Sequence, residues 1–417
     1  MLASIPFVAL HWPVKKIAAL FAMTGAVFYM LVIGDAPSAE RAVVMACIVM
    51  LAIMIDRDPF TLRLAAVAAS AMLLVHPENL FNPGFQMSFA AVISLIAFYE
   101  ATRTWWQKHY EDTGIFKKTW LYVAASLATT LVATLATAPF ALYHFLRAPL
   151  LPGLIANLIT VPLSTFITLP AAIVASFLMP LDLHELPLKL AEYTARIILR
   201  TAEIIANMPA ALLHVDAWPT WGMTLMCMGG LWICLWHGPV RWLGIVLVAC
   251  GMLAFPLAPR ADVLASQDAR LFAVRGDDGK LWLSQSRAAK FIAQGWIDRE
   301  GDRGFAYWRD HGAPLSCDRE ACLYTRHGVT FSFLHSYAAL EKDCARANVV
   351  ISDLPMKRIA CTGPEFKIGK WDLRDHGTHA FYIAPDGKVT RRTSNQPRGD
   401  RPWVAKYRRD VKSLTKN

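Results

Sequence analysis

The residues best suited to chemistry in this chain are four cysteines in its last third, Cys317, Cys322, Cys344 and Cys361. An even number of thiols in a polar segment suits disulfides formed in an oxidising compartment. Four cysteines allow three pairings, and the sequential one, Cys317 with Cys322 and Cys344 with Cys361, closes the shortest loops. Zinc is the competing chemistry, but the spacings lack the tight CxxC pairs that usually nucleate a zinc site. The remaining cysteines, Cys47, Cys227, Cys234 and Cys250, lie in apolar stretches and read as small buried hydrophobes.

A second group lies close to the end. Between residues 388 and 416, Arg391, Arg392, Arg398, Arg401, Lys406, Arg408 and Arg409 alternate with Trp403 and Tyr407. Cations neutralise a phosphate backbone and aromatic rings stack a base, so this stretch suits a nucleic-acid strand. A solvated basic tail, or one lying on anionic lipid, fits the same composition. A third group consists of polar residues within or beside apolar runs: Arg41, Arg57, Asp58, Arg63, Asn82, Gln86, Ser88 and Asn157. Hydrocarbon cannot satisfy such groups, so they must face other helices or water.

The elements that carry these residues follow from composition. The chain is 55% hydrophobic and only 18% charged, which is unlike a single water-soluble globule. Charge-free runs of about 20 residues supply membrane spans instead. The start, MLASIPFVALHWPVKK, has no small-residue cleavage site and reads as a cytoplasmic approach to the first span. Spans are expected at 17–33, 42–55, 85–99, 120–145, 221–236 and 242–256, with a shorter alanine-rich segment ending at Val75. The stretch 149–179 is too long for one simple span and holds Pro162 and Pro170, so a broken or re-entrant helix is expected. Residues 188–208 place Lys189, Glu192, Arg196, Arg200 and Glu203 at helical spacing among aliphatics, which describes an amphipathic helix on the bundle or in the membrane interface. Apart from this amphipathic helix, these make seven or eight helical segments over residues 1–260, one of them broken or re-entrant.

The densest basic loop of this half, 100–120 with Arg103, Lys108, Lys117 and Lys118, is cytoplasmic by the positive-inside rule, and Arg241 in the HGPVR loop belongs on the same side. Residues 261–387 then read as a soluble α/β domain that opens with a hairpin about a Gly-Asp-Asp-Gly turn, and 388–417 as a basic tail. Most of the formal charge of +10 falls in this soluble half, which suits phosphates or anionic lipid head groups as partners. Extracytoplasmic cysteines and cytoplasmic basic loops together put the C-terminal domain in the periplasm.

Three stretches, PSAERAVVM at 37–45, DRDPFTLRLAAVAASAMLLVHPENLFNPGFQMSFAAV at 56–92 and ANLITVPLSTFITLP at 156–170, resemble in sequence and order the competence domain of the ComEC family. These are inner-membrane channels that import single-stranded DNA during natural transformation. The resemblance covers residues 1–260, and NPGFQMSFAAV is its most specific element. It implies that Arg41, Arg57 and Arg63 neutralise phosphates and that Asn82, Gln86, Ser88 and Asn157 supply hydrogen bonds along a wet path. Asp58 would hold a neighbouring arginine or cap the following helix. It further implies single-stranded DNA, the bilayer, a competence DNA receptor and a cytoplasmic translocation ATPase as partners. Helix glue and head-group anchoring are the bland readings of the same side chains.

Family members carry a soluble module before this domain, so a chain starting inside it is expected to be truncated, or to obtain the missing helices from a partner. The C-terminal domain occupies the place of a metallo-β-lactamase-like nuclease, whose two metal ions need clustered histidines and aspartates. No HxHxDH motif is present. The nearest histidine pairs, His327 with His335 and His376 with His379, lack an aspartate at the required spacing. The four cysteines and the GDRPW ending at 399–403 resemble family members that have lost these ligands, so a degenerate, metal-free and cofactor-free domain is expected. A membrane-anchored, metal-dependent hydrolase and an inactive channel fragment are the alternatives.

Overall fold

The structure is a computed structural model that describes residues 13–34, 36–58, 60–110, 114–148, 150–208, 213–214, 217–254, 257–285, 289–301, 304–356, 361 and 363–399. The chain forms two compact units, Met1–His214 with Thr220–Phe255, and Val215–Pro219 with Pro256–Asn417.

The first unit is helical: α1 (Val14–Ile33), α2 (Pro37–Met54), α3 (Leu62–Val75), α4 (Pro83–Tyr110), α5 (Ile115–Phe145), α6 (Leu150–Leu163), α7 (Leu169–Leu178), α8 (Glu185–Ala206), α9 (Thr220–Leu235) and α10 (Leu243–Leu253). Among the described residues five helical stretches are long and apolar enough to cross a bilayer: Val14–Ile33, Pro37–Met54, Pro83–His109, Val123–Phe145 and Ile155–Leu181. With mixed sheets and helices following, this is a multi-pass helical membrane domain joined to an α/β domain.

Two expectations about the helices are corrected. The basic stretch 100–120 is mostly helix, since α4 runs on to Tyr110 and α5 begins at Ile115. Lysine, arginine and tryptophan are tolerated in helices, and no glycine or proline interrupts the run before Gly114. The proline-containing stretch does not turn back. A π-helical turn at Ser164–Thr168 joins α6 to α7, and Leu163, Thr168 and Leu169 all keep right-handed helical dihedrals. Each proline removes one N–H from the helical ladder, and the widened turn accommodates the gaps on one continuous path. That path of 27 residues, Ile155–Leu181, is about 40 Å long at 1.5 Å per residue.

The hairpin of α9 and α10 is built on glycines. A Cβ on Gly229 would lie 2.6 Å from the carbonyl oxygen of Gly244, and one on Gly251 would lie 2.7 Å from that of Gly222. Glycines seven residues apart on each helix, 222 with 229 and 244 with 251, thus let the two backbones touch, as small residues do in membrane helix pairs. Between α3 and α4, Ala68, Met72, Phe85 and Phe89 form a small buried cluster against which Val44 and Ile48 of α2 pack, with the Phe85 and Phe89 rings 4.5 Å apart.

The second unit is a sandwich of two mixed sheets. One has the order β13-β12-β3-β4-β5-β6, from strands β3 (Val263–Ala265), β4 (Phe272–Arg275), β5 (Leu281–Leu283), β6 (Phe305–Tyr307), β12 (His379–Ile383) and β13 (Val389–Thr393). The other has the order β11-β10-β9-β8-β7, from β7 (Leu315–Cys317), β8 (Ala321–Arg326), β9 (Val329–Leu334), β10 (Val349–Ser352) and β11 (Phe366–Ile368). The expected Gly-Asp-Asp-Gly hairpin is β4–β5, with Gly279 at φ 80° in its turn. Side chains from both sheets, among them Val274, Phe331, Phe333, Ile351 and Phe381, fill the space between them. On the outer faces Trp296 of α11 (Lys290–Arg299) packs on β4 and β5, and Leu340 of α12 (Leu340–Arg346) packs beside Leu334 and Val350. The first part of the expected basic tail is therefore not tail: Arg391 and Arg392 belong to β13, whose Val389 is buried against the core and fixes its register on β12.

Arg275 ties these layers together. Its guanidinium makes two 2.7 Å bonds to the Glu300 carboxylate at the end of α11, and its Nε donates to the Ala261 carbonyl ahead of β3. Its own carbonyl accepts from the Tyr324 hydroxyl at 2.7 Å and from Arg326, which also faces Asp262 at 3.4 Å. Both members of the Arg275–Glu300 pair are nearly inaccessible, at 6% and 11% exposure. Burial pushes the Tyr324 phenol above its ordinary pKa, so it stays a donor.

The glycine contact yields a stability prediction. Gly229→Leu or Gly251→Leu should lower the stability of the detergent-solubilised chain by about 1–3 kcal/mol, as overpacking does. Gly230→Ala, which meets no atom within 4 Å, should leave the unfolding midpoint unchanged.

Candidate functional site

The helical unit gathers polar side chains at one end. Asn82 precedes α4, and its Oδ1 accepts the Gly84 N–H at 2.8 Å, as an N-capping side chain does. One turn on, Gln86 is satisfied from both sides. Its Nε2 donates to the Leu80 carbonyl at 2.9 Å in the 3-10 turn Pro77–Phe81, and its Oε1 accepts from His144 Nε2 at 2.7 Å at the end of α5. That bond fixes the His144 proton on Nε2. Beside His144, the Tyr143 hydroxyl meets Thr220 Oγ1 at 3.1 Å at the start of α9. Arg41, in the first turn of α2, lies across the start of α4, and a Cβ on Gly84 would come within 2.7 Å of its Nη2. Gly84 is thus the position that admits the arginine, whose Nε is buried without a partner among the described residues.

The structure therefore brings Arg41, Asn82 and Gln86 together and adds His144, which sequence reasoning missed. A histidine ending an apolar run carries no periodic signal; only its placement opposite Gln86 reveals it. Ser88 follows on α4, half-buried. Arg57, Asp58 and Arg63 lie at the opposite end, in the turn between α2 and α3 and the first turn of α3, all exposed. The expected roles of Asp58 are corrected: it does not cap α3, and among the described residues it holds no arginine. Its Oδ1 accepts the Phe60 N–H at 3.3 Å, while Thr61, next to the helix, accepts the Leu64 N–H as the cap. Asp56 forms the ion pair of this turn, 2.6 Å from Lys16. Asn157 is exposed on α6.

In the soluble unit the aromatics that accompany the basic residues are not those the sequence suggested. The Arg391 guanidinium lies 5.3 Å above the Phe366 ring and that of Arg392 5.3 Å above Tyr382. Arg374 covers Trp371 at 5.5 Å on α13 (Lys370–His376), a pair visible in sequence only as an i, i+3 spacing. Arg398 ends a short 3-10 turn, and Arg401 and Trp403 lie outside the described residues.

The cysteines pair as Cys317–Cys322 and Cys344–Cys361. Cys317 and Cys322 are cross-strand neighbours on β7 and β8, and Asp318 closes the turn between them by accepting the Ala321 and Glu320 N–H groups at 2.7 and 2.8 Å. Those bonds hold the Asp318 carboxyl below its usual pKa.

The histidines do not converge on a metal-binding arrangement. His327 occupies the β8–β9 turn at φ 50°, and His335 is exposed beyond β9. His376 and His379 have rings 6.3 Å apart, but His379 is fully buried, stacked on Phe381, with Nδ1 2.9 Å from the Gly377 carbonyl. Among the described residues no group of three or more His, Cys, Asp or Glu side chains could hold a metal ion.

Burial lowers the His379 pKa to about 4, with Arg391 and His376 adding to the effect. The unfolded imidazole titrates near 6.5, so between these values the unfolded state binds more protons. The neutral-His379 contribution is thus complete above about pH 6.5 and is lost as the pH falls to about 4, up to about 3 kcal/mol. Hydrogen exchange of the β12 and β13 amides in the full chain should speed up over that window beyond its intrinsic pH dependence. His379→Gln, which does not titrate there, should lose that extra slope.

Comparison with known proteins adds three findings. The family model described as "Competence protein" matches residues 1–240. The ComE operon protein 3 of Bacillus subtilis (strain 168) is 27% identical over 154 residues, which is 37% of this chain and 18% of that protein. The match thus spans less than a fifth of the curated relative, and no solved structure matches the chain.

Proposed function

The chain belongs to the competence protein family, and from that premise we propose that it is a component of the channel that passes single-stranded DNA through the inner membrane during transformation. The observation that carries the reading is the segregation of charge between the two ends of the helical unit. Lys15 and Lys16 on α1, Arg57 and Arg63 around the α2–α3 turn, Arg103 and Lys108 on α4, Lys117 and Lys118 on α5 and Arg241 before α10 all lie at one end. By the positive-inside rule that end is cytoplasmic. The opposite end carries the Arg41, Asn82, Gln86 and His144 cluster, where a strand arriving from outside meets several hydrogen-bonding groups instead of a dense positive trap.

The same assignment directs the end of α10 away from the cytoplasm, so the soluble domain is periplasmic, where oxidising conditions support its two disulfides. We assign that domain a binding role without strand cleavage. The arginine–aromatic pairs at Phe366, Trp371 and Tyr382 suit a DNA backbone, and the His and Asp clustering that two-metal hydrolysis requires is missing from the sequence motif. The receptor and the translocation ATPase complete the proposal as partners.

In a strain carrying only this chain, labelled DNA should reach the cytoplasm, and Gln86→Leu should cut that arrival about tenfold while the protein remains inserted, since it strands His144 and the Leu80 carbonyl. Label halted in the periplasm with every version would overturn the channel role. Incubation of the protein with DNA and zinc or manganese should release no nucleotides; metal-dependent cleavage would overturn the non-enzymatic assignment.

A further inference from the structure

Helix α8 has a charged stripe in a place where lipid cannot solvate it. Taking 100° per residue, Glu185, Lys189, Glu192, Arg196, Arg200 and Glu203 fall within a band about 80° wide. The buried residues Ala191, Thr194 and Ile205 lie about 180° away, and both flanks between are apolar, with Leu186, Leu190, Tyr193 and Ile204 on one and Leu188 and Leu199 on the other. All six charged residues are exposed, and two i, i+4 pairs, Lys189–Glu185 and Arg196–Glu192, keep the charges on the stripe.

The neighbours of α8 decide its depth. An interfacial helix would lie across spanning helices and touch them at one level. Instead α8 runs antiparallel along the whole α6–π–α7 path. Its start follows the turn Met179–Leu181, with Asp182 at φ 55° reversing the chain. Its middle is bonded to the π turn through Thr194 Oγ1 and Thr168 Oγ1 at 2.8 Å. Beyond its end, β2 (Leu213–His214) pairs with β1 (Arg147–Ala148) just ahead of α6. The companion path is the 27-residue span Ile155–Leu181, and the 22 residues of α8 cover about 33 Å, enough to cross the hydrocarbon.

We propose that α8 crosses the bilayer beside this path and that its charged stripe is one wall of a water-filled conduit for a single polyanionic strand. The depth and the water follow from packing and the cost of charge in lipid; the strand as occupant rests on the DNA-uptake reading. Three cations and three anions share the stripe, so the wall attracts phosphates at Lys189, Arg196 and Arg200 without a net charge that would hold them.

The test places nitroxide labels on single cysteines in the full chain in liposomes, with Cys47, Cys227, Cys234 and Cys250 replaced by alanine. Labels replacing Lys189, Arg196 and Glu203 report the stripe, and labels replacing Leu186, Tyr193 and Ile204 report the flank. The expected result is severalfold greater collision with a water-soluble nickel chelate along the whole stripe, position 196 included, than at Tyr193. On the flank, oxygen access should peak at Tyr193 and fall toward Leu186 and Ile204. Equal depth at the three flank positions would place α8 in the interface and overturn the crossing. A stripe shielded from the chelate at 196, or cross-linking between copies there, would replace water with a protein partner and overturn the conduit. In transforming cells, DNA entry should reduce thiol labelling of Arg196→Cys severalfold; an open but unprotected stripe would keep the water path and reject the strand as its occupant.

Discussion

A polar side chain set in an apolar bundle must find its partner within the chain or in water, and this constraint organises the helical unit. Gln86 meets it on the protein: donor to Leu80, acceptor from His144. By doing so it draws the ends of α4 and α5 together, and Tyr143 extends the tie to α9 through Thr220. Arg41 meets it in part, lying over a glycine that leaves room for it, with a buried Nε that has no partner among the described residues. The exposed charges of α8 meet it not at all inside the described chain, beyond bonds among themselves, and so call for water. Backbone contact adds to these ties where Gly229 and Gly244 bring α9 and α10 together.

The soluble domain solves a related problem by opposite means. Its sheets bury a largely apolar interior, and charge buried there is paired: Arg275 with Glu300 on two oxygens, Arg326 against Asp262, and Asp343 with Arg346. Removing one member of such a pair costs about 3–5 kcal/mol because the other is left charged and dry. With the layers fixed in this way, Arg391 and Arg392 are held on an edge strand with their guanidinium groups over Phe366 and Tyr382, leaving both side chains exposed for a ligand.

Much of this architecture was legible in the sequence, because apolar length and turn chemistry are local. The spans through Ile33, Met54 and Phe145 and the β4–β5 hairpin all lie where their patterns put them. What the sequence concealed was long-range. Helix continuation past Tyr99 needed only the absence of a breaker, and the π turn between Pro162 and Pro170 depends on how two missing hydrogen bonds are absorbed. Gln86 was visible as a polar residue on an apolar helix, whereas His144, 58 residues away, acquires meaning only through the packing of α5 on α4. The charged stripe of α8 was legible as a pattern, but its depth depends on the antiparallel match to α6 and α7, which no local rule encodes.

The account stands or falls on whether a DNA strand passes the polar end of the helical unit. A photo-crosslinking residue in place of His144, activated while cells take up labelled DNA, addresses that directly. The expected result is an adduct to a single strand that appears during uptake and decays as uptake finishes. An adduct to duplex DNA, or none while DNA still reaches the cytoplasm, would contradict it.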